Sequence, residues 1–280
     1  MHFMHPILKW VGSKRWIAHR IAKIVCEEIV ENGIYHEPFV GAGAVLMELD
    51  KLKNQKFACD IVESLIHTYN TIQENPIGVW SKLRILEKDN LDKDTYLKHR
   101  EKFNQGISSL GPEDLAAHFI YLNHAGYNGL WRTNKNGEFN VPFGNHKKLH
   151  LPDQVDFLKT SQSTQNTHFE LINHPREIFD LLHKKVKAGD VVFSDPPYLG
   201  TYDDYDEFSY SMDHFHEELA CTLWDLHLHG ATIIAMNSDN EKTNKWYGAF
   251  CKIENIDRYQ GVAGTNEGRR EWKQILAVAR

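Results

Sequence analysis

The spacing of hydrophobic residues predicts alternating strands and helices at the start of the chain. Isoleucine and valine recur at helical spacing from Ile17 to Ile29. Residues 34–45 (IYHEPFVGAGAV) then predict a short strand, a tight glycine turn and a helix that runs to about Lys53, and residues 56–70 predict a strand ending near Asp60 and another helix. This βαβ order indicates a parallel sheet with a ligand site at the carboxyl ends of its strands.

The middle of the chain shows helical patterns and no strand that stands out. Helices are predicted in 79–89, in 95–104 and in 112–124, where Pro112 occupies a helix start. The stretch 124–150 is rich in glycine and asparagine, and its NKNG sequence predicts the turn of a loop or hairpin. Loop and a short helix are expected in 151–163.

The alternating pattern resumes near residue 174. It predicts a helix, a buried strand ending in SDPPY, a long helix, a second buried strand and a terminal hairpin, and these lie in 174–186, 189–198, 214–230, 231–237 and 250–280. The expected fold is therefore α/β, with one sheet split by a mainly helical insert that carries a β-hairpin. The sheet domain comprises 1–75 and 174–280, and the insert comprises 76–173.

Composition narrows the class of protein without identifying it. The 280 residues include 32 Lys and Arg against 38 Asp and Glu, a formal net charge of -6. An average content of apolar and charged residues excludes disordered, collagen-like and disulfide-scaffold proteins. The acidic balance argues against a wholly basic surface but permits a local basic patch.

Cysteine and histidine usage indicates an intracellular protein without a metal site. Four isolated cysteines predict reduced core thiols, and the scattered histidines lack the spacing of zinc ligands. No signal peptide or membrane-spanning run is evident, so we expect a cytoplasmic protein that needs no membrane and no obligate protein partner.

A glycine turn follows the first predicted strand. Gly41 and Gly43 allow the backbone to approach a ligand closely, but Leu46 occupies the third glycine position of the dinucleotide fingerprint. Asp60 lies 17 residues beyond Gly43, at the end of the next strand, where an acidic side chain can accept hydrogen bonds from ribose hydroxyls. The alternatives are an ordinary strand-to-helix turn and a helix cap at Asp60.

The sharpest motif is Asp195-Pro196-Pro197-Tyr198, which follows a buried apolar strand. Prolines end the strand and remove two N–H donors, so the turn offers hydrogen-bond acceptors only, the Asp195 carboxylate and the Pro196 carbonyl. Such a pair suits an exocyclic amino group, which has two hydrogens to donate, and the ring of Tyr198 offers a stacking face. A bare structural turn is the alternative.

The order of EPFVGAG and SDPPY resembles the N6-adenine DNA methyltransferases. The intervening AGYNGLWRTNKNGEFNVPFG is similar to the DNA-recognition segment of the Dam-type family, which methylates adenine in GATC, and KWVGSKR matches the opening of that family. The resemblance extends from Lys9 to the end of the chain. It implies a Rossmann-like methyltransferase sheet, S-adenosylmethionine as cofactor, double-stranded DNA as partner, and a target adenine flipped out of the duplex.

The resemblance also implies roles for matching positions. Those that would contact S-adenosylmethionine are Trp10, Lys14, Glu37, Phe39, Gly41, Gly43, Asp60 and Asp195. Those that would hold the target adenine and carry catalysis are Asp195, Pro196 and Tyr198. Those that would contact DNA are Tyr127, Asn128, Arg132, Asn134 and Lys135. Residues 1–75 and 174–280 would form the catalytic domain, and 76–173 the target-recognition domain.

Local charge is consistent with these roles. Residues 124–150 carry a net charge of +3, whereas 201–218 contain seven acids and neither lysine nor arginine. We expect that acidic segment to face away from DNA or to close over cofactor and adenine; a solvated acidic loop is the alternative.

Competing interpretations remain for single residues and for the whole chain. Lys14 could be a surface charge, Trp10 a core aromatic and Tyr127 a packed hairpin aromatic. The chain could methylate another adenine-containing site, or could be a DNA-binding relative that has lost catalysis. Methyltransferases acting on protein amides usually present Asn in place of Asp195, and an NAD oxidoreductase is disfavoured by Leu46.

Overall fold

The computed structural model describes residues 6–106, 109–198, 211–259 and 271–280. The acidic stretch 201–210 and the loop 260–270 of the predicted terminal hairpin lie outside the described residues. Within the described ranges, none of the helices combines the length and the apolar character that a bilayer crossing requires.

The described residues form a seven-stranded sheet of order β3-β2-β1-β4-β5-β7-β6. Its strands are β1 (Tyr35–Glu37), β2 (Lys56–Asp60), β3 (Thr167–Leu171), β4 (Val191–Ser194), β5 (Thr232–Ser238), β6 (Lys252–Tyr259) and β7 (Glu271–Ala279). Strand β1 pairs in parallel with β2 and β4, and β4 pairs in parallel with β5. Strand β7 is antiparallel to β5 and β6. The Rossmann-like α/β sheet expected from the sequence is thus confirmed.

The helices occupy the segments with a helical repeat. They are α1 (Ala18–Glu28), α2 (Ala44–Glu48), α3 (Glu63–Glu74), α4 (Pro76–Leu86), α5 (Lys93–Asn104), α6 (Pro112–Ala125), α7 (Gln154–Thr164), α8 (Glu177–Lys185), α9 (Met212–Leu228) and α10 (Glu241–Gly248). Side-chain caps begin several of them. The Asn75 side chain accepts from the Gly78 N–H at 2.9 Å, and Asp153 forms a reciprocal capping box with Asp156.

Several elements differ from the expectation. Helix α2 ends at Glu48 and not near Lys53, because the Leu49 N–H turns back to the Leu46 carbonyl at 3.2 Å. Strand β3 and helix α10 were not predicted, and β3 lies within the range expected to be the insert. Strand β3, with the sequence THFEL, lacks the continuous apolar run that revealed β4. The predicted hairpin in 124–150 contains isolated antiparallel bridges at Gly126–Phe143 and Thr133–Phe139.

The described residues of the chain divide into two compact units. The first unit comprises those in 1–22, 40–53 and 62–171, and the second those in 23–39, 54–61 and 172–280. In the first unit, the buried ring of Tyr69 stacks on Phe169 with centroids 5.2 Å apart. In the second unit, Phe57 and Leu219 belong to one buried apolar cluster formed by strands and helices. The prediction of a recognition domain in 76–173 stays a prediction.

The cysteines correct one expectation. Cys59 is a buried thiol, as predicted, but Cys26 and Cys221 are exposed and Cys251 is half-buried. Cys26 and Cys221 lie on helices α1 and α9, each of which has a face turned to solvent.

Candidate functional site

Strand β4 carries the DPPY turn to the carboxyl end of the parallel sheet. All four residues of Val191–Ser194 are buried, after which Pro196 is buried and Asp195 and Tyr198 are half-buried. The two prolines stop the strand because neither can donate to a ladder. The Tyr198 hydroxyl donates to Oε1 of Gln274 at 3.0 Å, and Gln274 on β7 is only 5% exposed. The tyrosine ring is therefore anchored at its far end.

Strand β1 carries a second carboxylate to the same edge. Glu37 is its last residue and is buried, and its Oε2 accepts a 2.9 Å hydrogen bond from the hydroxyl of buried Tyr35. Burial, followed by the negative charges of Glu37 and Asp195, raises the pKa of Tyr35 well above its ordinary value. Strands β1 and β4 are neighbours although the chain order reverses between them, so Glu37 and Asp195 lie at the switch point where α/β sheets bind ligands. Tyr35 was not among the site residues expected from the sequence.

Strand β2 ends at Asp60, and this carboxylate is half-buried. The Asp60 carbonyl accepts from the Ile172 N–H at 3.1 Å, which fixes the backbone at this point. Val62, and not Asp60, occupies the N-cap position of α3, and the Val62 side chain makes no capping hydrogen bond. Phe39, beyond the end of β1, is half-buried and meets Phe215 edge-on at 6.3 Å. Of the expected site residues in the second unit, Glu37, Asp60 and Asp195 thus all follow or end adjacent parallel strands.

In the first unit, the glycine turn lies directly against Trp10. Gly41 and Gly43 have positive φ angles of 45° and 61°. A Cβ atom added to Gly41 would come within 2.8 Å of Trp10 Cδ1, so the indole packs on bare backbone. Trp10 itself is half-buried. The alternative that Lys14 is a surface charge is wrong, because it is 5% exposed and its Nζ donates to the Gly12 carbonyl at 2.7 Å.

The segment expected to contact DNA presents an exposed aromatic side chain. Tyr127 begins a short 3-10 turn and is 52% exposed, which contradicts the alternative of a packed hairpin aromatic. Asn128 is exposed and has a φ of 54°, a conformation that costs a non-glycine residue energy and is concentrated at functional sites. The Tyr127 N–H donates to the Pro142 carbonyl at 2.9 Å, which links the turn to the segment around Pro142.

The rest of this segment is ordered by its own side chains. Exposed Arg132 donates from Nε to Oδ1 of Asn140 at 2.7 Å. Oδ1 of Asn134 accepts from the Asn136 N–H at 2.9 Å, which closes the turn and leaves Lys135 exposed at its tip. Beneath the turn lies an aromatic cluster in which Trp131 contacts its neighbours at centroid distances of 5.2 and 5.3 Å. The members of this cluster are Phe103, Phe119, Trp131 and Phe139.

Two buried polar residues near the DPPY turn were missed from the sequence. His216 on α9 and Asn237 on β5 are fully buried, with Asn237 Nδ2 3.1 Å from His216 Nδ1. Desolvation lowers the pKa of His216 to about 4, although the Pro197 carbonyl acts in the opposite direction. The histidine is therefore neutral at ordinary pH. An asparagine that ends the apolar run ATIIAMN is the signal that could have revealed this pair.

Comparisons with known proteins agree with this arrangement of motifs. The family model for D12 class N6 adenine-specific DNA methyltransferases matches residues 10–260. The type II methyltransferase M.MjaIII of Methanocaldococcus jannaschii is 32% identical over 84% of this chain and 84% of its own length. A DNA adenine methylase of Vibrio cholerae is 30% identical over 99% of this chain and 97% of its own. The retron Ec67 DNA adenine methylase of Escherichia coli is 31% identical over 88% and 82%.

The family match spans most of the chain and includes both the glycine turn and the DPPY turn. The glycine turn, the DPPY turn and the strands that present them therefore lead to the same assignment. The chain belongs to the D12 class of N6 adenine-specific DNA methyltransferases, which are S-adenosylmethionine-dependent enzymes that act on DNA.

Proposed function

We propose that the protein methylates N6 of adenine within GATC in double-stranded DNA, by flipping the target base and transferring the methyl group directly. The observation that carries this proposal is the DPPY turn at the end of buried β4. Its two prolines leave acceptors without competing N–H donors, and the ring of Tyr198 beside them is held by Gln274. This arrangement suits an amino group on a flat aromatic base.

Asp195, Pro196 and Tyr198 act together on the target adenine. The Asp195 carboxylate and the Pro196 carbonyl accept the two N6 hydrogens, which favours a more tetrahedral nitrogen and makes its lone pair available to the methyl carbon. When bound, S-adenosylmethionine would supply a methyl group on a positively charged sulfur, the neutral thioether S-adenosylhomocysteine would be the leaving group, and the surplus proton on the methylated N6 would pass to solvent. Tyr198 stacks on the base and fixes the line of approach.

The residues present fit S-adenosylmethionine by their chemistry. Glu37 places a buried negative charge at the sheet edge, which favours a cationic ligand. Asp60 ends β2 with a half-buried carboxylate able to accept from ribose hydroxyls. The bare backbone of Gly41, with Gly43 beyond it, permits a close approach that a Cβ would prevent. We propose that these four residues contact the cofactor together with a second set, which comprises Trp10, Lys14, Phe39 and Asp195.

Residues 76–173 recognise the DNA in this proposal. Exposed Tyr127 and Asn128 enter the duplex at or beside the vacated position, which offsets part of the few kcal/mol that base flipping costs. Arg132, oriented by Asn140, reads a guanine edge at O6 and N7. Asn134 and Lys135 contact the DNA from the turn, and the net charge of +3 in 124–150 attracts phosphate. The enzyme acts inside the cell, where its DNA substrate is found.

The decisive experiment incubates the protein with tritiated S-adenosylmethionine and two duplexes that differ only in whether they contain GATC. Label in the GATC duplex alone is the expected result. Label in neither duplex refutes methylation of DNA, and equal label in both refutes the sequence assignment and favours another adenine-containing site.

A variant tests the role of the DPPY carboxylate. Asp195→Ala should reduce methyl transfer at least about a hundredfold, because it removes an acceptor that acts on the reacting nitrogen. Binding of S-adenosylhomocysteine, measured by calorimetry, should remain detectable. Normal turnover by this variant would contradict the assigned role.

A further inference from the structure

A buried amide side chain joins two segments of the first unit. Asn123, near the end of α6, is 3% exposed. The Lys9 N–H donates to its Oδ1 at 2.8 Å, and its Nδ2 donates to the Lys9 carbonyl at 2.8 Å. Nδ2 also lies 3.4 Å from the Gly129 carbonyl. One side chain thus holds both backbone groups of Lys9 and contacts the turn that begins at Tyr127.

The residue that follows Lys9 contacts the glycine turn. Lys9 precedes Trp10, and the Trp10 indole packs on the backbone of Gly41. A second hydrogen bond also connects α6 to this N-terminal segment, since Nε2 of buried His124 donates to the Ile7 carbonyl at 2.8 Å. Desolvation lowers the pKa of His124 to about 4, so the ring is neutral and Nε2 carries the donated proton.

The Gly129 carbonyl that Asn123 contacts belongs to the turn that carries the proposed DNA contacts. Gly129 closes the 3-10 turn Tyr127–Gly129, in which Tyr127 is exposed and Asn128 has a positive φ. The Leu130 N–H bonds the Tyr127 carbonyl at 3.2 Å, so a shift of Tyr127 is passed to the backbone that Asn123 contacts.

We propose that Asn123 is a positioning residue that couples DNA recognition at Tyr127 and Asn128 to cofactor binding at Trp10 and Gly41. This inference rests on the proposed roles of those residues. When the turn enters DNA, it displaces the Gly129 carbonyl, which the Asn123 side chain contacts. The same side chain holds the Lys9 backbone beside Trp10. Coupling between two sites is reciprocal, so cognate DNA should tighten cofactor binding by the same factor by which the cofactor tightens DNA binding.

The chain offers a matched control in Asn104. Its side chain clamps Phe139 in the same manner, since the Phe139 N–H donates to Oδ1 at 2.9 Å and Nδ2 donates to the Phe139 carbonyl at 3.1 Å. This clamp holds the far end of the recognition segment at Phe139, and among the described residues Asn104 is not hydrogen-bonded to residues 7–10. Asn104→Ala therefore removes an equivalent pair of hydrogen bonds without cutting the proposed connection.

The test measures the affinity for S-adenosylhomocysteine by calorimetry, with and without a saturating GATC duplex. In the unmodified protein the duplex should tighten binding about 5- to 150-fold. Asn123→Ala should bring that ratio close to one, and Asn104→Ala should preserve it. Asn123→Asp keeps the acceptor for the Lys9 N–H but lacks the donor to the Gly129 carbonyl, so it should also bring the ratio close to one. Thermal melting identifies variants that fail to fold.

The outcomes separate this inference from the proposed function. An unmodified protein that does not bind or methylate the GATC duplex refutes the proposed function. An unmodified protein that methylates it without any change in S-adenosylhomocysteine affinity overturns the coupling alone. The coupling is also overturned when Asn123→Ala retains the ratio, or when Asn104→Ala loses it equally.

Discussion

The contact between Gly41 and Trp10 supports a quantitative prediction for two alanine substitutions. Both Gly41 and Gly43 have left-handed φ angles, of 45° and 61°. An alanine in this region costs about 1–2 kcal/mol, because its Cβ crowds the following carbonyl oxygen. The neighbours differ, since the added Cβ at Gly41 would lie 2.8 Å from Trp10 Cδ1, whereas at Gly43 the nearest atoms are 3.6 Å away.

The free energies follow from this difference. Gly43→Ala should lower the free energy of unfolding by the backbone cost alone, about 1–2 kcal/mol. Gly41→Ala should add the cost of displacing a packed indole, about 1–3 kcal/mol for overpacking. Since Trp10 is a proposed cofactor contact, displacing its ring should also weaken binding of S-adenosylhomocysteine, by about tenfold for each 1.4 kcal/mol of lost interaction.

Urea unfolding measures the stability and calorimetry measures the affinity. A Trp10→Ala background isolates the steric part, because without the indole the cost of Gly41→Ala should fall to that of Gly43→Ala. The proposed clash with the indole is refuted if Gly41→Ala lowers the free energy of unfolding no more than Gly43→Ala does when Trp10 is present. An unchanged affinity of Gly41→Ala for S-adenosylhomocysteine would refute the proposed cofactor contact but not the steric argument.

Three further predictions follow from the site and its surroundings. Tyr198→Phe keeps the stacking ring but leaves the buried Gln274 acceptor without its donor, so it should lower the free energy of unfolding in urea by about 1–3 kcal/mol. It should retain more transfer activity than Tyr198→Ala, and equal activities would contradict a stacking role. His124 and His216 both have a pKa lowered to about 4 from an ordinary 6.5, so unfolding binds protons and stability should fall as pH drops from 6.5 towards 4, by up to about 3 kcal/mol for each ring. Urea midpoints measured across that range check this, and the slope should be smaller in His216→Gln; an unchanged slope would show that the ring titrates normally. Arg132→Ala should lower kcat/KM on a GATC duplex, and the lost stabilisation should be about 1–3 kcal/mol, which is what a bidentate base contact contributes. A uniform loss on every duplex would instead indicate a phosphate contact.

Many helices and strands of the fold could be predicted from local patterns of apolar residues. The helices α3 to α6 were predicted because their apolar residues repeat at helical spacing, and Pro112 lies at a helix start. Helix α4 begins at Pro76, three residues before the predicted 79–89. Strand β4 was predicted from the continuous apolar run before SDPPY. Strand β3 was missed because its sequence, THFEL, lacks the continuous apolar run that revealed β4. Whether these residues form a strand depends on their pairing with the neighbouring strand β2, which local sequence does not show.

The sequence by itself determined the order of motifs, the chemistry of the glycine and DPPY turns, and membership of the adenine methyltransferases, because these depend on residue types at close spacing. Only the tertiary structure decided which side chains meet. Tyr198 and Gln274 are separated by 76 residues, and Asn123 and Lys9 by 114. Periodicity and turn chemistry are properties of neighbouring residues, whereas a hydrogen bond between distant segments exists only after the chain has folded and buried them together. The anchor of the stacking tyrosine and the amide clamp at Lys9 belong to this second kind.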